Sequence, residues 1–177
     1  VLLLADTGAR IGEASALRWG DVDLTRRVIG IKRSSDHVGH IGPTKTRRER
    51  EVELSSRLCA VLREIQPDIH SEAAPVFTAP DGGPLFSSNF RVRVFRRVVR
   101  YALGKDRRGV TPHSLRHTFA SLHMARGSNL KWIQEMGGWS SAKMLLDVYG
   151  HYLPTESTGF ADALTAPNGT QTALNAT

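Results

Sequence analysis

Three chemically active side chains share one face of a predicted helix that begins at Thr111 and Pro112. They are His113, Arg116 and His117, which stand three and four residues apart and therefore meet on a helix surface. An arginine can hold a phosphate through two parallel hydrogen bonds, and a histidine can transfer a proton near neutral pH. The pattern predicts a site for a phosphate-like anion. A solvated polar face is the alternative that these three residues alone leave open.

The two histidines also have the spacing of zinc ligands on a helix. However, Ser114 stands where a zinc-dependent protease has glutamate after its first histidine. The single cysteine, Cys59, excludes both a cysteine-rich metal site and a disulfide bond within the chain. We therefore predict that the chain needs no metal.

A tyrosine near the end of the last predicted helix is a candidate nucleophile. Tyr149 would ordinarily be a packing residue, but a phenolate attacks well when cations stabilise it. It follows Trp139 and precedes His151, beyond a helix break at residues 137–138. Tyr152, three residues later, is a rival for the same role.

The chain of 177 residues is basic, with a net charge of +7 and a pI of about 10.2. Its cations cluster at residues 45–50 and 91–108. Clustered cations are typical of proteins that neutralise phosphates along a nucleic acid, although a merely basic surface is the alternative. No apolar run approaches the length of a membrane span, so we expect no membrane association.

Hydrophobic periodicity predicts the elements that must position these residues. Helices are expected up to residue 6 and at 10–18, 55–66, 89–103, 112–126, 129–136 and 140–149. Strands are expected at 28–32 and 51–54, with a turn at 21–24 and a loop or short second strand at 37–43. The predicted class is α+β, mainly α-helical with a small antiparallel three-stranded sheet. The basic residues 45–50 lie in or beside a hairpin.

Four separated segments resemble the tyrosine recombinase, or phage integrase, family in order and spacing. They are residues 7–13 followed by 17–19, residues 44–46 followed by 52–54, residues 113–120, and residues 138–141 followed by 149–151. One such motif is a weak signal, but four in order are specific. The resemblance covers about residues 1–153 and implies the fold of a tyrosine recombinase catalytic domain.

The resemblance implies a role for each catalytic-type residue. Arg10 and Arg116 would grip the scissile phosphate and offset the charge that grows on its oxygens. Lys45 would protonate the leaving 5′-oxygen, and His113 would transfer protons and contact the phosphate. Tyr149 would form the 3′-phosphotyrosine bond.

The remaining positions carry supporting roles or depart from the family pattern. Trp139 stands where the family usually has a second histidine, and its indole N–H can donate to phosphate but cannot move a proton. Glu13 is placed to orient Arg10, and the Tyr-x-His pattern that His151 completes favours Tyr149 over Tyr152. Five arginines are expected to contact DNA: Arg47, Arg48, Arg91, Arg93 and Arg97.

The implied function is site-specific recombination, in which DNA strands are cut and rejoined through a 3′-phosphotyrosine intermediate. Because one phosphate ester is exchanged for another, no cofactor is expected. The implied partner is double-stranded DNA, with a homotetramer on two duplexes, in the cytoplasm of a bacterium or phage host, associated with the nucleoid. Two alternatives stay open: relaxation of DNA like a type IB topoisomerase, and an inactive DNA-binding remnant of a mobile element.

The resemblance also divides the chain. Residues 1–153 are expected to form a catalytic domain that lacks the start of its first helix. An N-terminal domain that grips the far side of DNA is expected to be absent from this sequence. Residues 154–177, rich in Thr, Ala, Gly and Asn, are expected to be a flexible C-terminal tail.

Overall fold

The computed structural model describes residues 1–45, 48–104 and 109–154. Its helices are α1 (Leu2–Thr7), α2 (Ile11–Ser15), α3 (Ser56–Ile65), α4 (Ser87–Asn89), α5 (Arg96–Leu103), α6 (Pro112–Ala125), α7 (Leu130–Gly137) and α8 (Ala142–Tyr149). Its strands are β1 (Val22–Asp23), β2 (Val28–Ile31), β3 (Arg33–Ser35), β4 (Ile41–Pro43) and β5 (Arg50–Glu53). Single 3-10 turns cover Trp19–Asp21 and Gly150–Tyr152.

The predicted small antiparallel sheet is present, with three strands in the order β1-β2-β5. Ile29 of β2 stands opposite Val22 on one side and Val52 on the other. Alternate residues of the central strand are buried, which is the period that the sequence showed. A separate hairpin pairs β3 with β4. The segment 37–43, expected as a loop or short strand, therefore forms a strand only at its last three residues.

Two hydrophobic clusters hold the fold together. The larger one joins the three-stranded sheet to α1, α2 and α3 and includes Leu3, Ile29 and Leu58. The smaller one joins α6, α7 and α8 through residues such as Phe119 and Leu145. Helix α1 packs directly on α6, and Met136 of α7 packs against both clusters.

The starts of two helices follow from their capping residues. Ser55 caps α3 by accepting a hydrogen bond from the Leu58 amide at 3.2 Å. The Ser114 hydroxyl accepts a hydrogen bond from the Thr111 amide at 3.0 Å, and Pro112 is the first residue of α6. These local signals made both helix starts predictable.

Two expectations need correction. The turn predicted at 21–24 is wrong because residues 22 and 23 pair with β2 as a strand, and the turn begins at Asp23, whose carboxylate accepts from the amides of Thr25 and Arg26. The helix predicted at 10–18 is shorter, since it ends at Ser15. The helix at 89–103 is present, but its residues Phe90–Phe95 form π-helical turns.

None of the described helices is both long and apolar enough to cross a membrane. The expected tail falls almost wholly on residues 155–177, which lie outside the described residues. The boundary between a domain at 1–153 and a tail therefore stays a prediction.

Candidate active site

Four of the predicted catalytic residues line one groove. Arg10, Lys45, His113 and Arg116 border a cavity of about 370 Å³, together with residues 34–36. Arg10 is the N-cap of α2, Lys45 follows β4, and the other two lie in the first turns of α6. The fold thus brings together residues that are up to 106 positions apart, counted from Arg10 to Arg116.

Arg116 is buried, and its surroundings satisfy only part of its guanidinium. Nη1 donates to the carbonyl of Gly8 at 2.7 Å and to the carbonyl of Gly137. Nη2 has no hydrogen-bond partner among the described residues. A buried cationic N–H without an acceptor is costly, and an anion in the groove would supply both the acceptor and the opposite charge.

The charge of Arg116 also favours an anion in the groove. Burial, and then the neighbouring charge of Arg10, lower the pKa of Arg116 to about 9. The side chain still carries its charge near neutral pH. Its guanidinium carbon lies 3.8 Å from the centroid of the Trp139 ring, which is close enough for a cation–π contact.

Two glycines allow these close approaches. Gly8 ends α1 with φ of 64°, and a Cβ on it would lie 2.6 Å from the Phe119 ring. A Cβ on Gly137 would overlap the ring of Trp139. Both carbonyls that hold Arg116 therefore come from positions where a side chain does not fit.

Glu13 contacts Arg10, and it also binds a residue that the sequence did not single out. Its buried carboxylate accepts from the Arg10 amide at 2.9 Å and from Arg10 Nη1 at 3.0 Å. Arg50 of β5 donates to both carboxylate oxygens, at 3.1 and 2.7 Å, and through Nε to the Met136 carbonyl at 3.0 Å. Arg50 therefore ties the sheet to α2 and to the end of α7.

The charge state of Glu13 follows from these contacts. Burial alone would raise the pKa of Glu13, but the hydrogen bonds and charge of Arg50, followed by those of Arg10, outweigh burial and leave the pKa below its ordinary value. Glu13 is therefore an ionised carboxylate that fixes two arginines.

Lys45 is exposed at the edge of the groove. The preceding Thr44 is buried, and its hydroxyl donates to the Arg48 carbonyl at 3.0 Å, which closes the base of the loop. Arg48 is exposed and borders a second groove that Trp139 also lines. Arg47 lies outside the described residues.

His113 sits among cations. Burial first, and then His117, Arg116, Arg10 and Lys45, lower the pKa of His113. Its ring meets His117 edge to face, with 4.7 Å between ring centroids. The neutral imidazole is favoured, which is the form that can accept a proton.

Tyr149 ends α8 with its ring buried against Trp139, at 6.2 Å between centroids. Its hydroxyl is 2.6 Å from Nδ1 of His117. Burial raises the pKa of Tyr149, and the charge of Arg116 opposes that effect in part. The resting side chain is therefore a neutral phenol in contact with an imidazole.

The geometry favours Tyr149 over its rival. The ring of Tyr152 is about half exposed and lies against His151 at 4.1 Å between centroids. His151 is exposed as well, and it does not belong to the residues that line the groove. The supporting role of His151 stays a prediction.

The structure does not bring the three helical arginines into the groove lining. Arg91, Arg93 and Arg97 are exposed, and none of them forms a salt bridge with a described carboxylate. Their contact with DNA stays a prediction. Within the described residues, no group of three or more His, Cys, Asp or Glu side chains is arranged to hold a metal ion.

Sequence reasoning missed two residues of this site. Arg50 was counted only as part of a basic cluster, because nothing local links it to Glu13. His117 was placed on the same helix face as His113 and Arg116 but was given no role. The signal that could have found it was its spacing four residues after His113.

The comparisons with known proteins identify the family of this chain. The model of the phage integrase family matches residues 1–156, so the chain belongs to the phage integrase family. A tyrosine recombinase XerC of Xanthomonas axonopodis pv. citri is 33% identical over 135 residues, which are 76% of this chain and 40% of that protein. The integrase of Staphylococcus phage L54a is 30% identical over 161 residues, 82% of this chain and 45% of that protein. The chain thus spans less than half the length of these relatives.

Solved structures share the fold. The Tn1549 transposon integrase, in complex with a circular intermediate DNA, matches 93% of this chain and 56% of its own chain with a TM-score of 0.72 at 24% identity. The catalytic domain of bacteriophage HP1 integrase matches 93% of this chain and 77% of its own with a TM-score of 0.58 at 26% identity. The expected fold class, a tyrosine recombinase catalytic domain, is confirmed.

Proposed function

We propose that this chain is the catalytic part of a site-specific DNA recombinase or integrase that cuts and rejoins strands through Tyr149. One observation carries the proposal: Arg10, Lys45, His113 and Arg116 border a single groove, and Arg116 lies on Trp139, against which Tyr149 packs. A groove lined by cations, with a phenol beside it, fits a phosphodiester and a nucleophile that attacks it.

Each side chain has a place in the reaction. The hydroxyl oxygen of Tyr149 attacks the phosphorus, a bond to the 3′-phosphate forms, and the bond to the 5′-oxygen breaks. Arg116, through Nη2, and Arg10 offset the charge that grows on the phosphate oxygens. Lys45 donates a proton to the leaving 5′-oxygen, and His113 contacts the phosphate. Rejoining is the reverse, in which a 5′-hydroxyl attacks the phosphotyrosine.

Double-stranded DNA is the proposed partner. The net charge of +7 and the exposed Arg48, Arg91, Arg93 and Arg97 support this, as does the complex of the Tn1549 integrase with DNA. Arg47 is proposed as a further contact. A homotetramer on two duplexes, and a location at the bacterial nucleoid, are proposed with the function and rest on the family membership alone.

The named relatives favour strand exchange over its alternatives. They are recombinases and integrases, which supports recombination rather than topoisomerase-like relaxation. The presence of all six catalytic-type residues, four of them in one groove, argues against an inactive remnant.

The test is a covalent trap. A pool of short duplexes of random sequence, each with one nick, is incubated with the chain, so that cleavage beside the nick releases a fragment too short to stay paired. We expect a protein–DNA adduct that survives denaturation, and sequencing of its DNA would define the site. A chain that retains this DNA in a salt-sensitive manner but forms no adduct would overturn the proposal in favour of a binding module.

A further inference from the structure

We propose that His117 accepts the phenolic proton of Tyr149 during strand cleavage and returns it during rejoining. This inference rests on the proposed function and adds a residue to its chemistry. It starts from the contact between the Tyr149 hydroxyl and Nδ1 of His117, 2.6 Å long, which joins α8 to α6.

The contact has the geometry that proton transfer requires. An oxygen and a nitrogen 2.6 Å apart are within the reach of a general base. For Nδ1 to accept, the ring proton of neutral His117 must sit on Nε2. The phenol is then the donor. The two rings are tilted by 52° with centroids 5.8 Å apart, so they meet through these atoms and not by stacking.

Burial shows where the proton can go. Tyr149 is 6% exposed, so little of the residue is open to water. His117 is exposed. A proton that reaches the imidazole can therefore exchange with solvent or wait for the reverse step.

Other described groups near Tyr149 do not fit this role. Arg116 is a cation and Trp139 has only an N–H donor, so neither accepts a proton. The carboxylate of Glu13 is already held by Arg10 and Arg50. His113 meets the ring of His117, not the hydroxyl of Tyr149.

The charges around His117 come from several elements. His113 and Arg116 share α6 with it, Tyr149 belongs to α8, and the 3-10 turn that packs on α6 carries His151. Arg10 and Lys45 act on the adjacent His113. These groups can also contribute to the dependence of the rate on pH, so the pH profile of His117→Gln is compared with that of wild type, which keeps all of them.

The proton balance closes in both directions. In cleavage the bond from the Tyr149 oxygen to phosphorus forms, the bond from phosphorus to the 5′-oxygen breaks, and the phenolic proton moves to Nδ1 of His117. The 5′-oxygen takes its proton from Lys45. In rejoining the 5′-hydroxyl gives its proton to Lys45, and the departing phenolate takes one from His117. No oxidant, metal or nucleotide enters either step.

The experiment compares His117→Gln with wild type on DNA recovered from the nicked pool. Glutamine can accept a hydrogen bond from Tyr149 through its side-chain oxygen but does not take up a proton near neutral pH. His123→Gln is the matched control, since it makes the same change on α6 next to Ser128 and away from the groove. Measured are the first-order rate of adduct formation at saturating DNA, the DNA affinity, and the rate as a function of pH.

We expect His117→Gln to slow adduct formation by about 100-fold or more while DNA affinity stays within about twofold, because general base catalysis contributes about that much. The rate of His117→Gln should keep rising with pH, because hydroxide takes over the role of the imidazole as the base. The wild-type rate should level off. If His117 only held Tyr149 in place, His117→Gln would lower the rate but keep the wild-type dependence on pH.

Three results would overturn the inference. A lowered rate with the pH profile of wild type would show that His117 only holds Tyr149 in place. An unchanged rate in His117→Gln would show that the contact is incidental, and a faster rate would show that His117 restrains Tyr149 instead of activating it. The proposed function fails separately, if the wild-type chain forms no adduct with DNA that it binds.

Discussion

The guanidinium of Arg50 binds both carboxylate oxygens of Glu13, at 3.1 and 2.7 Å, although 37 residues separate the two in the chain. The Arg50 side chain is 10% exposed and the Glu13 side chain is fully buried. The pair therefore connects the strand that follows the Lys45 loop with the turn that carries Arg10. One buried ion pair would thus position the lysine and the arginine that we propose as catalytic.

Arg50→Ala should destabilise the protein by about 3 kcal/mol, because removing one partner leaves a buried charge incompletely paired. Urea unfolding followed by circular dichroism measures this. Arg26→Ala is the control, since Arg26 and Glu51 form an exposed pair whose loss should change stability little. Equal stabilities for the two variants would show that the buried pair has no special structural role.

The same carboxylate predicts how stability depends on pH. The pKa of Glu13 in the folded protein lies below its ordinary value of 4.5, so its contribution is complete above that value. The contribution is lost as the pH falls through the lowered pKa. The unfolding free energy of Glu13→Gln should therefore fall less steeply below pH 4.5 than that of wild type. Identical slopes for Glu13→Gln, wild type and an exposed control, Glu64→Gln, would contradict the assignment.

Arg116→Lys should lower the rate of adduct formation by about 100-fold or more, because lysine keeps the charge but not the planar set of donors. The guanidinium uses Nη1 for two carbonyls and keeps Nη2 for a ligand, and the single nitrogen of an ammonium cannot occupy both positions. Arg126→Lys, an exposed cation at the end of α6, is the control and should react like wild type. Full activity of Arg116→Lys would show that the phosphate does not bind at the Arg116 guanidinium.

Lys45→Ala should cleave ordinary DNA at a rate about 100-fold lower than wild type, because the leaving 5′-oxygen then departs without a proton. DNA with sulfur in place of that bridging oxygen should restore most of the rate, since a thiolate leaves without protonation. Lys131→Ala, which removes an exposed lysine paired with Glu135, is the control. If sulfur does not restore cleavage by Lys45→Ala, Lys45 has another role.

Much of the fold was predictable because its signals are local. Thr111 and Pro112 mark the start of α6, Ser55 marks the start of α3, and alternating burial marks β2. Strand β1 was missed because two residues cannot show a period. The π-helical turns at 90–95 were missed because the apolar spacing there does not distinguish them from ordinary helix.

The site was predictable in its residue types and in the local contact between Arg10 and Glu13, but not in its long-range contacts. The motifs placed Arg10, His113 and Arg116, and the structure brings them to one groove. The contacts between Arg50 and Glu13 and between His117 and Tyr149 join residues 37 and 32 positions apart. The first contact joins α2 to β5 and the second joins α6 to α8, so only the tertiary packing creates them.

Tyr149 is the proposed nucleophile, and identifying the residue that carries trapped DNA tests this role. Wild type, Tyr149→Phe and Tyr152→Phe are incubated with the nicked substrate, digested with protease and nuclease, and analysed by mass spectrometry. We predict a nucleotide attached at Tyr149 in wild type and Tyr152→Phe, and no adduct in Tyr149→Phe, which should still bind DNA. An adduct that persists in Tyr149→Phe, or one mapped to Tyr152, would contradict the account.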